Sequence, residues 1–298
     1  MKRKIGFALA ILAVYGMMFY GAIEVYASGF EIPIPVASGV SVSSTATAEI
    51  DYSNARDGYV MARFTGTASA QARVMITTPR GVQYQYRLNT NGTWEVFPLS
   101  GGNGEYTIGV FEPVEGNRFA VANRITINVI LANEFAPFLR PNQFVNFNRN
   151  SSVVTLANRL AQGSSSTLET VGIVYQYVID NIEYDFQLAA TVQSGYVPDL
   201  EEVLRRRRGI CFDFASLMTA MLRSQGIPTQ LVIGYVGDVF HAWISVHTPE
   251  TGWINNIISF DGRTWQIMDP TFAATSNQSE EFLNLIGDGQ SHQPTNLH

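Results

Sequence analysis

Three residues in the second half of the chain have the types and order that nucleophilic acyl transfer needs: Cys211, His241 and Asp269. Cys211 is the only cysteine among 298 residues. After it, Phe214, Leu217, Met218, Met221 and Leu222 recur at helical spacing, and Gly226 and Pro228 mark a stop. The thiol therefore sits at the start of a predicted helix. There the macrodipole and the free backbone N–H groups favour the thiolate, the reactive form of cysteine. The same N–H groups can hold the oxyanion formed when a thiolate attacks a carbonyl. The opposing reading is a buried, inert cysteine packed like a small hydrophobe. The thiol alone does not choose between them.

The residues that follow shift the balance. Thr229–Val236 reads as an apolar strand, and after Gly237-Asp238 the chain returns as Phe240-His241-Ala242-Trp243-Ile244-Ser245-Val246. Trp265-Gln266-Ile267-Met268-Asp269-Pro270 is a further strand ending in an acid. Cys211 would be the nucleophile, and His241 the base that takes its proton and later protonates the leaving amine. Asp269 would accept from the other imidazole nitrogen and fix its tautomer. His247 shares strand parity with His241 and competes for the role of base, but its place near Thr248-Pro249 fits a solvated strand end. Asp213 reads as a first-turn partner of the helix dipole and Asp238 as a turn acid. The order of the three candidates is generic by itself.

Taken together, Gly209-Ile210-Cys211-Phe212-Asp213, His241-Ala242-Trp243 and Trp265-Gln266-Ile267-Met268-Asp269-Pro270-Thr271 resemble the core of the transglutaminase-like superfamily, from about Val153 to Phe272. The resemblance implies a papain-like α+β fold, in which the cysteine helix packs on an antiparallel sheet carrying the histidine and the aspartate. It implies protein cross-linking, amide hydrolysis or a related acyl transfer; some members are inactive. By fold analogy Tyr184, ahead of the cysteine, would complete an oxyanion hole. There is no Asp-x-Asp-x-Asp-Gly loop of the kind that binds calcium, and neither a cofactor nor a metal is implied.

The elements that must position these residues follow from periodicity. Ser166-Thr167-Leu168-Glu169 and Asp199-Leu200-Glu201-Glu202 are capping-box sequences that start two helices. The second runs into Arg205–Arg208, cations that suit a helix C-terminus and stay solvated. Ahead of all this, from about Gly39 to Leu131, the period is two. Tyr59–Phe64, Arg73–Thr77, Val82–Leu88, Tyr106–Val110 and Ile125–Leu131 read as strands, and Asn91-Gly92 as a hairpin turn into Trp94–Phe97. The fold expected is α+β: a β-sandwich-like, Ig-sized module over 28–133, a connector over 134–152 packed between the halves, a catalytic domain over 153–276 and a tail over 277–298.

Composition bounds the rest. With 46% hydrophobic and 15% charged residues the chain has enough apolar material for packed cores, which excludes a disordered chain. A formal net charge of -6 argues against a nucleic-acid binder. One cysteine excludes an internal disulfide and a cysteine-based cluster, and four histidines argue against a multi-histidine metal centre. Lys2-Arg3-Lys4, the uncharged stretch Ile5–Ile23 and the small residues before Ser28 have the layout of a secretory signal over 1–27, or of an uncleaved anchor. Either places the rest of the chain outside the cytoplasm, with membrane contact only through an uncleaved anchor. The expected partner is a protein or peptide substrate at the cell envelope. The rival reading is a non-catalytic extracellular binding module.

Overall fold

The computed structural model describes residues 30–67, 70–115, 118–236, 239–249, 251–255, 258–260, 265–267 and 292–298. The candidate signal over 1–27 and the candidate acid Asp269 lie outside the described residues, as does Asp238.

The first half is a sandwich of two antiparallel four-stranded sheets. β1 (Val42–Ser44), β2 (Ala48–Asp51), β3 (Tyr59–Phe64) and β6 (Glu95–Pro98) form one, in that order. β5 (Gln83–Leu88), β4 (Ala72–Thr77), β7 (Gly104–Pro113) and β8 (Phe119–Val129) form the other. Period two is the cause: Tyr84, Tyr86 and Leu88 turn inward while Gln83, Gln85 and Arg87 face out. They meet Val74, Ile76, Phe64, Phe97 and Ile108 in one core. Tyr106 is buried there with its hydroxyl donating to the carbonyls of Leu99 and Gly102, so its polar tip is satisfied.

The Asn91-Gly92 turn is not the hairpin expected from the sequence. β5 pairs with β4, whereas β6 pairs with β3 in the opposite sheet. The local turn chemistry is still present, since Asn91 Oδ1 accepts from the Thr93 backbone N–H at 3.1 Å. Pairing is decided by burial instead. Each strand goes to the sheet that closes its apolar face against the shared core, and the turn carries the chain across.

The second half lays helices on a sheet. α1 (Ser152–Leu160), α2 (Thr167–Asn181) and α4 (Leu200–Arg206) surround α5 (Cys211–Ser224), which is buried along almost its whole length. β9 (Glu183–Tyr184), α3 (Phe186–Thr191) and β10 (Arg208–Gly209) lead into it. α5 packs on β11 (Thr229–Val236) and β12 (Val239–Thr248), within the sheet order β13-β12-β11-β16. Here β13 is Gly252–Ile254 and β16 is His292–Leu297; β14 (Ile258–Phe260) and β15 (Trp265–Ile267) form a separate pair.

Both predicted caps form, each with a detour. Ser166 accepts from the Glu169 N–H, but the Glu169 carboxylate reaches the Ser165 N–H rather than that of Ser166. Asp199 accepts from the Glu202 N–H, while the Glu202 carboxylate turns away to Arg205. The arginine run ends α4 as expected for a helix C-terminus: Arg206 and Arg208 lie 3.8 and 3.4 Å from Asp185, and all four stay exposed.

The connector does pack between the halves. Phe144 stacks on Tyr86 of the sandwich at 5.5 Å and meets Phe212, next to the cysteine, edge-on at 5.4 Å. It belongs to both hydrophobic cores. The end of the expected tail proves to be structural. β16 pairs with β11, and His298 is buried, with Tyr86 Oη 2.9 Å from its Nδ1. The fully buried Arg223 donates to the main-chain oxygens of Thr229, Arg140 and His298, so one side chain ties α5, the connector and the residue after β16 together. An unpaired charge there would be costly; three main-chain oxygen acceptors offset that.

Candidate active site

Cys211 is the first residue of α5; it and Phe212 are partly exposed, while the helix is buried from Asp213 to Ser224. Ile210 stands at the N-cap in extended conformation and offers no side-chain acceptor. The first-turn N–H groups are therefore not capped by that side chain, the condition for anion binding at a helix start. One carboxylate instead fixes the N-cap residue itself. Asp213, fully buried, accepts from the Ile210 backbone N–H at 2.8 Å through Oδ2 and from the Tyr196 hydroxyl at 2.8 Å through Oδ1. Burial pushes its carboxyl up from the ordinary carboxylate range, against the two hydrogen bonds that pull it down. The sequence assigned Asp213 to the helix dipole alone; its bond to Tyr196 was missed. An aromatic between Gly195 and Val197 in a loop carries no local signal of such a partner.

His241 lies on β12 opposite Gly234 of β11, is 5% exposed, and its ring runs nearly parallel to Trp243 at 6.2 Å. Ala242, Ile244 and Val246 join the core that contains α5. His241, Trp243 and His247 have the other parity, as the alternation predicted. The helix bearing Cys211 and the strand bearing His241 are thus packed neighbours. His247 is not at a solvated strand end. It packs against Phe135 at 4.3 Å and Trp253 at 5.4 Å, because the connector folds back over this end of β12.

Tyr184 pairs with Gly209 across the parallel β9–β10 bridge, two residues ahead of the cysteine. Its ring packs on Phe186 at 4.8 Å and lies 6.4 Å from Phe214. A groove of about 690 Å³ runs between the halves, lined among others by Arg87, Trp94, Glu95, Gln143, Gly195 and Val197. Among the described residues no group of three or more His, Cys, Asp or Glu is arranged to hold a metal ion.

A buried helix that opens on a thiol and lies across an antiparallel sheet, with a buried histidine on the adjoining strand, defines the papain-like α+β class. Residues 154–270 match the family model of the transglutaminase-like superfamily, and the chain carries a domain of that superfamily.

Among curated proteins, the chain is 29% identical over 122 residues to YebA of Bacillus subtilis, covering 34% of this chain and 16% of that protein. It is 27% identical over 152 residues to a protein-glutamine gamma-glutamyltransferase of Pseudomonas aeruginosa, covering 45% of this chain and 20% of the relative. The match thus spans a fifth or less of either relative. Among solved structures, the periplasmic domain of TgpA from Pseudomonas aeruginosa aligns with a TM-score of 0.37 at 16% identity, over 82% of this chain and 99% of that one. Among the described residues no helix is long and apolar enough to cross a membrane.

Proposed function

We propose that this protein is an extracytoplasmic cysteine enzyme that acts on amide bonds of proteins or peptides through a thioester. The observation that carries the reading is the position of Cys211. It is the chain's only thiol and stands, partly exposed, on the first turn of a helix that is buried from Asp213 onward and whose N-cap side chain accepts no hydrogen bond. A structural cysteine needs no such place; a nucleophile does.

In this reading the Cys211 thiolate attacks a carboxamide carbonyl. The first-turn N–H groups, with Tyr184 alongside, receive the oxyanion. His241 takes the thiol proton and delivers it to the departing amine or ammonia, leaving an acyl thioester on sulfur. Asp269 orients the imidazole. An incoming amine, or water, then attacks the thioester; His241 accepts its proton and the thiol is released. Transfer to an amine is favoured over hydrolysis. Water at about 55 M loses only where a site excludes it and positions the acceptor, and aromatic residues flank the candidates along the chain: Phe212 and Phe214 beside Cys211, Phe240 and Trp243 beside His241.

The test is incubation of the protein with a glutamine-containing protein and a labelled primary amine. Label incorporated in a Cys211-dependent manner is the expected result. Ammonia release or chain cleavage without label would make it an amidase or peptidase. No turnover, together with a thiol that reacts only on unfolding, would leave the non-catalytic binding module.

A further inference from the structure

We propose that Arg87, Tyr196 and Asp213 form a positioning relay through which the β-sandwich holds the first turn of α5, and with it Cys211, in its working geometry. The proposal rests on Cys211 being the reacting group.

The relay begins at the nucleophile. Asp213 engages the chain on the near side of Cys211 at two points. Its Oδ2 accepts the Ile210 N–H, and its Cβ lies so close to Gly209 that a Cβ there would stand 2.6 Å away. Only glycine permits this approach. The N–H of the N-cap residue is thus held by a carboxylate from the helix's own first turn, while Ile210 offers the first-turn N–H groups no side-chain acceptor.

A buried carboxylate is a costly way to fill space, and an apolar side chain would fill it at lower cost. What an apolar residue could not do is accept a second hydrogen bond. That bond comes from Tyr196 Oη at 2.8 Å, and the Tyr196 ring lies 6.4 Å from Phe212, the residue after the thiol. The other charged groups that face Asp213 are Asp185 and Arg206.

Tyr196 belongs to the loop before α4, and that loop is gripped from the other half of the molecule. Arg87, on the outer face of β5, donates through Nη2 to the Ser194 carbonyl at 2.5 Å. Its guanidinium lies directly over Gly195, where a Cβ would meet Nε at 2.0 Å. Nη1 is itself braced by Gln71 at 3.1 Å. The contacts thus run without a break from β5 through Ser194-Gly195-Tyr196 and Asp213 to the residue preceding Cys211. Misplacing a nucleophile by about 1 Å costs about a hundredfold in rate, which gives such a chain of contacts a purpose beyond packing.

With one cysteine in the chain, iodoacetamide alkylation reports on Cys211 alone. Its second-order rate is measured from pH 5 to 9 on the folded full-length protein, its Tyr196→Phe, Arg87→Ala and Arg87→Lys variants and the double variant Tyr196→Phe/Arg87→Ala. Neither Tyr196→Phe nor Arg87→Ala changes a residue that touches the thiol by hydrogen bond. The relay predicts a rate about tenfold lower for Tyr196→Phe, the worth of one buried hydrogen bond, with a displaced pH profile. Arg87→Ala moves the same way by less, Arg87→Lys restores part of it, and the double variant is no worse than Tyr196→Phe alone. Folded Tyr196→Phe and Arg87→Ala proteins with wild-type profiles would overturn the relay.

A wild-type thiol that is inert while folded would instead defeat the acyl-transfer reading. Amide exchange then tests the relay by itself. Faster exchange at Ile210 in Tyr196→Phe supports it, and unchanged exchange overturns it.

Discussion

The imidazole of His247 and the ring of Phe135 lie with centroids 4.3 Å apart, and Trp253 closes on the same imidazole at 5.4 Å. This places His247 in an aromatic cluster at the far end of β12 from His241, with a connector residue as its partner. Its work is packing. His247→Ala is expected to lower stability by about 0.5–1.5 kcal/mol, the usual worth of such a ring pair, and to leave turnover close to wild type. His241→Ala is expected to abolish turnover while the protein still folds. Amine incorporation and thermal unfolding on both variants check this. An inactive His247→Ala beside an active His241→Ala would reverse the assignment of the base.

Asp269→Asn is expected to lower turnover by about three to four orders of magnitude, because an amide stabilises the wrong imidazole tautomer. Alkylation of Cys211 in the same variant separates lost orientation from lost folding. A variant with normal turnover would remove Asp269 from the mechanism.

Phe144 stands in both cores, between Tyr86 and Phe212. Phe144→Ala is expected to cost about 2–3 kcal/mol, less than a fully buried phenylalanine because its ring is partly exposed. A chain beginning near residue 150 keeps every candidate catalytic residue but loses Phe144, and also Ile32, which is buried in the same helical core. It is expected to bind hydrophobic dyes and aggregate. Guanidinium unfolding of the variant and light scattering of the shortened chain measure the two effects.

His298 sets a pH dependence. Burial, and then the neighbouring Arg223 charge, lower its pKa from 6.5 to about 3. The folded state therefore holds it neutral where the unfolded chain would protonate it. Stability from this group is full above pH 6.5 and is lost as pH falls toward 3, with one proton taken up on unfolding. The expected slope is about 1.4 kcal/mol per pH unit over that window. Denaturant midpoints of wild type and His298→Gln at several pH values test it: the difference between the two curves should carry that slope and flatten above pH 6.5.

What the sequence determined by itself is what local chemistry dictates. The inward residues of β5, the serine and aspartate caps of α2 and α4, the start of α5 at Cys211 and the parity shared by His241 and His247 all follow from spacing within a few residues. Period and caps act over one turn or one strand, so they are visible along the chain. The tertiary structure decided everything that depends on which surface closes which. It sent β6 to β3 although a turn sequence joined it to β5, and it brought β16 into the sheet beside β11. It set Arg87 on Ser194 and Tyr196 on Asp213, bonds that join residues 107 and 17 positions apart. Arginine, tyrosine and aspartate have many partners open to them in sequence. Burial leaves each polar group only the few it can reach, and that choice exists only once the chain has packed.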